Sequence, residues 1–390
     1  MSSVTSDVFA DAVPRREAVH RSFSARRFVS NYVSTLAFIA LSWWLITRVS
    51  NFHRGMLQGQ WQLGMFGVDA VITVHAVFTA LFVIYAIALI PYYAAYPWIH
   101  SKAFVFLRGL WFFVTHPGPA MSMGSDAVRL PLVHPVSRSM KQAGLALALK
   151  FFFAPLMLNW CLAHAGDLAA SLIHLFDQIR EGTSGRMLFD STLFWACFQL
   201  ILFIDTLLFT LGYLIELPAL RNRIRSVDPT FFGWFICLAC YPPFNDFTMR
   251  WLPWHSSDFP FFGNTAVHLI VNVTLLVALA VFSWASIALG FKASNLTNRG
   301  IVTHGPYAYV RHPAYAAKNF AWWLGALPGL IMTAQMGSMS GVLASLLALG
   351  GWTAIYALRA ITEERHLLMG RNGYAAYMQR VRWRFIPGVL

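Results

Sequence analysis

Residues 291–323 read FKASNLTNRGIVTHGPYAYVRHPAYAAKNFAWW, a polar, turn-rich stretch between two apolar runs. Asn298-Arg299-Gly300 and Gly305-Pro306 have the composition of turns. Arg311 and His312 immediately precede Pro313, a residue favoured at the first position of a helix. The spacing therefore predicts a helix that begins, with its unpaired N–H groups and positive dipole end, beside a guanidinium and an imidazole. Such a junction suits an anionic group, a carboxylate or a phosphate.

The surroundings of this stretch are lipid-like. The chain is 57% hydrophobic and only 12% charged, with a mean hydropathy of +0.56. Soluble domains carry roughly 25% charged residues, so the composition is that of a polytopic membrane protein. The net charge of +13 reads as loop charge facing an anionic leaflet and not as a nucleic-acid footprint, because no soluble basic run is interleaved with base-stacking aromatics. Cys161, Cys197, Cys237 and Cys240 all fall in or beside apolar segments. Cys237-x-x-Cys240 lacks a second pair or a histidine cluster, so no metal site is expected and the thiols read as packing. The polar N-terminal stretch is too long and too acidic for a cleavable signal peptide.

Hydropathy predicts an all-α fold of about eight transmembrane helices, over 31–50, 71–98, 143–163, 191–217, 231–244, 265–289, 316–334 and 341–358. The fifth is short and ends at Pro242-Pro243. Residues 51–67 and the helix AFVFLRGLWFFV within 101–142 read as interfacial, and 167–181 as amphipathic. With the N-terminus inside, the loops at 1–30, 99–142, 218–229, 290–315 and 359–390 are all rich in Lys and Arg, whereas the intervening loops are not. The positive-inside rule then places both termini and the polar stretch at 291–315 in the cytoplasm, provided that the fifth crossing exists. Lys150, Asp205 and Glu216 are costly at membrane depth; a Lys150–Asp205 pair is one way to hold two of them. His75 reads as a helix–helix contact.

Beyond the last apolar run stand Thr362-Glu363-Glu364-Arg365-His366 and the end GYAAYMQRVRWRFIP. Gly305, Tyr307, Arg311-His312-Pro313, Tyr315, Glu363-Glu364, Tyr374, Tyr377 and Phe385-Ile386-Pro387 together resemble the C-terminal signature of integral-membrane methyltransferases. These are isoprenylcysteine carboxyl methyltransferase and the related phospholipid and phosphatidylethanolamine N-methyltransferases. The resemblance covers the last quarter of the chain and divides it into three: a cytoplasmic arm at 1–30, a transmembrane region at 31–262 with interfacial segments and a possible part in substrate recognition, and a methyltransferase-like domain at 263–390.

The resemblance implies S-adenosylmethionine as cofactor and a cytoplasmic pocket made of Gly305, Tyr307, Arg311, His312, Pro313, Tyr315, Glu363 and Glu364. Arg311, His312 and the helix start suit the cofactor's carboxylate, the two glutamates its ammonium and ribose hydroxyls, and the tyrosines its sulfonium. Arg311 and Glu364 are the catalytic candidates, as groups that orient the acceptor. Methyl transfer is an in-line displacement that rests on alignment and water exclusion. The partners are membrane lipids and an amphiphilic or lipidated acceptor, carboxyl or amine, entering from the bilayer.

Each part also has a plainer reading: RHP as positive-inside anchoring, the acid pair as dipole complement, the late tyrosines as packing. The chain departs from the family at Ala316-Ala317-Lys318-Asn319, where Lys318, Asn319 and Trp323 become candidates for the acceptor's headgroup. The rival readings are a membrane reductase of the sterol C14-reductase type, which shares an R-H-P-x-Y motif and uses NADPH, a non-catalytic protein that retains the fold, and a transporter. Glu363-Glu364 weighs against the reductase, and the lack of paired broken helices against the transporter. Oligomeric state and acceptor are left open by the sequence.

Overall fold

A computed structural model describes residues 23–65, 68–115, 135–370 and 372–389. The segment 1–22 of the expected arm and 116–134 of the long basic stretch lie outside the described residues. The chain forms two compact units, Met1–Phe151 and Phe152–Leu390.

In the first unit, α1 (Ala25–Trp44) continues through a π turn to Val49 and is followed by α2 (Asn51–Met56). A hairpin of β1 (Gln60–Met65) and β2 (Val68–Thr73) leads to α3 (Val74–Ala95) and α4 (Lys102–Thr115). Helix α1 packs on both α3 and α4 along a polar seam. Asn31, 2% exposed, donates to Ile99 O at 2.8 Å and accepts from Ser101 N at 2.9 Å. Thr35 meets the Tyr93 hydroxyl at 2.8 Å. In an apolar setting, buried polar groups of this kind fix one register, because any other leaves them without partners. His75 meets Trp43 ring to ring, as a helix–helix contact.

The expected third span and the amphipathic segment after it are one helix, α5 (Pro135–Arg180). Nothing between 163 and 167 stops a helix: the intervening Ala-Gly leaves the hydrogen-bond ladder intact. Then come α6 (Gly185–Leu188), a π turn, α7 (Phe194–Leu214), the two-residue strand β3 (Ser226–Val227), α8 (Phe231–Leu238) and α9 (Asn245–Trp251). The chain closes with α10 (Thr265–Leu289), β4 (Thr297–Asn298), α11 (Pro313–Gln335), α12 (Met339–Leu368) and α13 (Tyr374–Arg380). Among the described residues, six helices are long and apolar enough to cross a membrane: α1, α3, α5, the α6–α7 run, α10 and α12.

The second unit has a definite sense of direction. Asp190 meets His268, Phe198 and Ile201 cluster with Leu275 and Leu279, and Asp205 meets Ser286. Helices α7 and α10 therefore run parallel. Helix α11 runs antiparallel to α10, since Ala321 joins that cluster and Lys318 lies over Phe282. Helix α12 returns, with Thr353 bonded to Trp323 and Glu363 to Tyr315.

Two parallel helices in one layer require a return path between them, and it is not a helix. Helix α8 has only eight residues, about 12 Å at 1.5 Å per residue. After a cis Pro242-Pro243 bond and α9, residues 252–264 run extended along α12 and α11. Leu252 O accepts from Trp352 Nε1 at 3.0 Å, Ser256 Oγ donates to Trp322 O at 3.0 Å, and Ser257 N donates to Gly325 O at 3.0 Å. Pro260 O accepts from Asn272 Nδ2 at 2.8 Å. These partners satisfy backbone groups that irregular chain packed against apolar helices would otherwise leave bare. Gly325 is what allows the approach: a Cβ there would sit 2.3 Å from both Ser256 Oγ and Ser257 O. The expected fifth segment, 231–244, is thus helical only over α8, and the stretch at 252–264, expected as part of a loop, runs along α11 and α12 as a strap.

Candidate functional site

The parallel α7 and α10 end together with the start of α11 and the end of α12. At that end the unit encloses a cavity of about 230 Å³. Two helix faces form its main walls. Along α12, Tyr356, Arg359, Glu363 and His366 recur at helical spacing, and along α11, Ala314, Tyr315 and Lys318 do the same. The Tyr315 hydroxyl donates to Glu363 Oε1. Tyr315 also stacks on His312, with centroids 5.5 Å apart and planes at 10°.

The two adjacent glutamates part company here. Glu363 lines the cavity, whereas Glu364, 3% exposed, does not. Successive helix residues differ by about 100°, which turns Glu364 away from the cavity toward the C-terminal tail. Glu364 instead gathers three partners: Arg311 Nε at 2.7 Å, Arg384 Nη2 at 2.8 Å and His312 Nε2 at 3.2 Å. Arg311 is further occupied, since its Nη1 donates to Val381 O at 2.9 Å and to Arg382 O at 2.5 Å. The backbone joins in, with Arg311 N to Trp383 O and His312 N to Arg384 O, both at 2.9 Å. The bond to Glu364 raises the Arg384 guanidinium further above its ordinary value. Arg311, His312 and Glu364 therefore clamp the C-terminal tail across the start of α11. Arg311 and His312 still present a side to the cavity.

The tail also closes the polar end. The Tyr377 hydroxyl donates to Tyr307 O at 2.8 Å, and Tyr374 and Tyr377 pack on Ile301 and Leu367. Burial pushes the Tyr377 phenol up to about 12 and raises Tyr307 and Tyr374 as well, so all three are neutral hydroxyls. Gly305 and Pro313 shape the wall without lining it. Gly305 has φ +61°, and a Cβ there would meet Ala288 Cβ at 3.1 Å. Asn319 turns back to Tyr315 O, and Trp323 binds Thr353 across to α12; neither lines the cavity.

Several lining groups carry no motif. Arg359, 3% exposed, donates Nη2 to Asn295 Oδ1 at 3.0 Å and lies over the rings of Tyr241, Tyr315 and Tyr356 at 5.6, 5.0 and 5.1 Å. Among the described residues its Nε has no acceptor. Arg299, 2% exposed, donates Nη1 to Asn222 O at 2.7 Å, but among the described residues its Nε and Nη2 have no acceptor. Burial lowers its affinity for the proton. Stepping back one turn from Glu363 along α12 reaches Arg359, a signal present in the sequence. Arg299 sits in a stretch that reads only as a turn, and nothing local marks its burial. Two guanidiniums with bare N–H groups beside one cavity are costly unless an anion completes them.

The far end of the cavity is apolar and lies among the spans. Met157 and Trp160 of α5, Phe209 of α7 and Phe282 of α10 form it, with Asp205, Ser286 and Lys318 set among them. Asp205 accepts from Ser286 Oγ.

Residues 265–369, which hold α10, α11, α12 and the connection carrying Arg299 and Arg311, match the model of the isoprenylcysteine carboxyl methyltransferase family. No curated protein and no solved structure matches the chain. The match covers well under half of the chain, and it falls on the helices that enclose the cavity. The segment that builds the main walls of this site is the segment that resembles a family of membrane methyltransferases.

Proposed function

We propose that the second unit transfers a methyl group from S-adenosylmethionine to a membrane-embedded, lipid-like or prenylated acceptor. One observation carries the reading. A single cavity joins a polar end, walled by Tyr307, Arg311, His312 and Glu363, to an apolar end among the spans, walled by Trp160, Phe209 and Phe282. A water-soluble cofactor and a lipid-soluble acceptor need that pair of environments in one place.

The residues present suit the cofactor. Arg299, with two unpaired buried donors, is placed to receive its carboxylate. Glu363 is placed to receive its ammonium or ribose hydroxyls, and the neutral tyrosines at 307, 374 and 377 to wall it off from water. When bound, S-adenosylmethionine supplies an electrophilic methyl on a good leaving group. What the chain adds is alignment, a dry site and a closed tail, which Arg311 and Glu364 hold in position. In this reading the cavity end faces the cytoplasm, α11 and the strap at 252–264 add two crossings to the six apolar helices, and the acceptor arrives sideways from the bilayer.

Calorimetric titration of the detergent-purified protein with S-adenosylhomocysteine and, separately, with NADPH tests the proposal. Saturable binding of S-adenosylhomocysteine, weakened in Glu363→Gln, is the expected result. Binding of NADPH alone would move the chain to the reductase reading.

A further inference from the structure

The stretch between α7 and α8 sorts its residues alternately. Arg221, Arg223 and Arg225 are exposed, whereas Asn222 is fully buried and Ile224 and Ser226 are half-buried. A period of two is that of extended chain, here the chain leading into β3, and it gives the three guanidiniums one outer edge. Among the described residues, neither Arg221 nor Arg223 makes an ion pair or a side-chain hydrogen bond. Exposed apolar side chains stand at both ends of this edge. Leu220 precedes it, and Phe231, 85% exposed, follows it and stacks on exposed Phe235 with centroids 6.1 Å apart.

Positive loop charge by itself asks for no such order, and one position carries a backbone cost. Arg221 has φ +50° and ψ 31°, in the left-handed region that glycine and asparagine enter more readily. A long cationic side chain stands where the backbone favours glycine.

The inner side of the same stretch reaches the cavity. Asn222 O accepts from Arg299 Nη1 at 2.7 Å, and the Asn222 amide is fixed by Leu217 N at 2.8 Å and Ile215 O at 2.7 Å. Arg225 N donates to Asn298 O at 2.8 Å, and Ser226 Oγ meets His366 Nε2 at 2.9 Å. Arg299 and His366 both line the cavity. One length of backbone thus carries cations outward on alternate residues and holds cavity walls with the others.

We propose that this arginine edge is a docking surface for anionic phospholipid headgroups of the leaflet at the cavity end, and that lipid seated on it steadies Arg299 for the cofactor. The second half rests on the methyltransferase reading. The partner follows from complementary charge beside exposed apolar groups: headgroup phosphates meet the guanidiniums while Leu220, Phe231 and Phe235 enter the acyl layer. A seated edge holds Asn222, and with it the carbonyl that Arg299 grips. A cofactor that needs Arg299 in place then binds more tightly.

The test places the full chain in nanodiscs of phosphatidylcholine alone, or of phosphatidylcholine and phosphatidylglycerol in equal parts. Hydrogen exchange of residues 217–227, which needs no cofactor, should slow in the anionic discs, and less so at high salt. Calorimetry with S-adenosylhomocysteine should give a Kd about fivefold lower there, the low end of ordinary coupling between sites. Arg221→Gln/Arg223→Gln should lose both responses while matching the parent in neutral discs. Arg26→Gln/Arg138→Gln, which removes two exposed arginines of the first unit, should keep both. Arg221→Gly separates docking from folding. In neutral discs its thermal midpoint should equal or exceed the parent's, because glycine relieves the left-handed backbone, yet its lipid response should shrink.

Exchange at 217–227 that ignores phosphatidylglycerol would overturn the docking surface. So would a response that survives Arg221→Gln/Arg223→Gln, one lost equally in Arg26→Gln/Arg138→Gln, or the same slowing in neutral discs given soluble glycerol phosphate. Slowed exchange with a Kd indifferent to lipid would overturn the coupling to Arg299. A protein that binds no S-adenosylhomocysteine in either disc would refute the methyltransferase reading, and the exchange arm would still decide the docking surface.

Discussion

At the scale of single residues, the informative contrast is between neighbours. Glu363 faces the cavity, accepts from the Tyr315 hydroxyl and lies 3.8 Å from His312 Nδ1, whereas Glu364 is buried under Arg311, Arg384 and His312. Removing each charge should therefore cost different things. Glu364→Gln leaves two guanidiniums short of their counter-ion, and breaking such a buried network costs roughly 3–5 kcal/mol. A clear fall in the thermal midpoint should follow, together with faster proteolysis beyond residue 373 as the tail comes loose. Glu363→Gln should leave the stability within about 1 kcal/mol of the parent, because the amide oxygen still accepts from Tyr315. It should nonetheless weaken S-adenosylhomocysteine. If Glu364→Gln melts like the parent and its tail stays protected, the clamp is not what holds the tail. The sequence brings both glutamates into view as a pair but cannot phase them, since the side of a helix that matters is set by what packs on it. Arg359 could be reached by helical spacing from Glu363, but Arg299 could not, because its burial comes from contacts with residues far away in the chain.

At the scale of elements, prolines were legible and their consequence was not. Pro242, Pro243, Pro253 and Pro260 say that no continuous helix covers 231–264. They do not say that the chain still travels the length of its neighbours, because that depends on α11 and α12 offering carbonyls and an indole N–H at the right heights. Glycine spacing in α11 makes the point testable. A Cβ at Gly325 would lie 2.3 Å from the strap, whereas one at Gly329 would meet nothing within 4 Å. Gly325→Ala should destabilise by about 1–3 kcal/mol through overpacking. In Gly329→Ala the sign reverses to a gain of about 0.5–1 kcal/mol, the ordinary helix preference. Equal effects in urea or thermal unfolding would mean that the strap does not press on α11. Conversely, 143–163 and 167–181 read as separate segments because their apolar character changes, yet a change of polarity does not interrupt hydrogen bonding, and α5 runs through both.

At the scale of the whole molecule, the direction of α7 and α10 decides which loops share a side. Because these helices run parallel, residues near 223 and 304 belong to one end of the second unit, and residues near 263 and 336 to the other. The loops at the cavity end carry Arg221, Arg223, Arg225, Lys292, Arg299, Arg380, Arg382 and Arg384, whereas 256–264 and 336–338 carry only Asp258. The positive-inside rule then predicts, in line with the proposed function, a cytoplasmic cavity end, where a soluble methyl donor would be available. Single cysteines at the exposed positions Arg223, His304, Gly263 and Met336 read this out with a membrane-impermeant maleimide. The unsubstituted chain, whose four thiols lie inside the protein or partly covered, serves as the blank. Cysteines at 263 and 336 should label in intact cells, and those at 223 and 304 only in inverted vesicles. The pairing matters more than the absolute side. If 223 and 263 label together, the strap does not cross, and with it falls the parity that carries the orientation of every helix after it. If the pairs separate but with the sides exchanged, the strap stands and only the cytoplasmic placement of the cavity is lost.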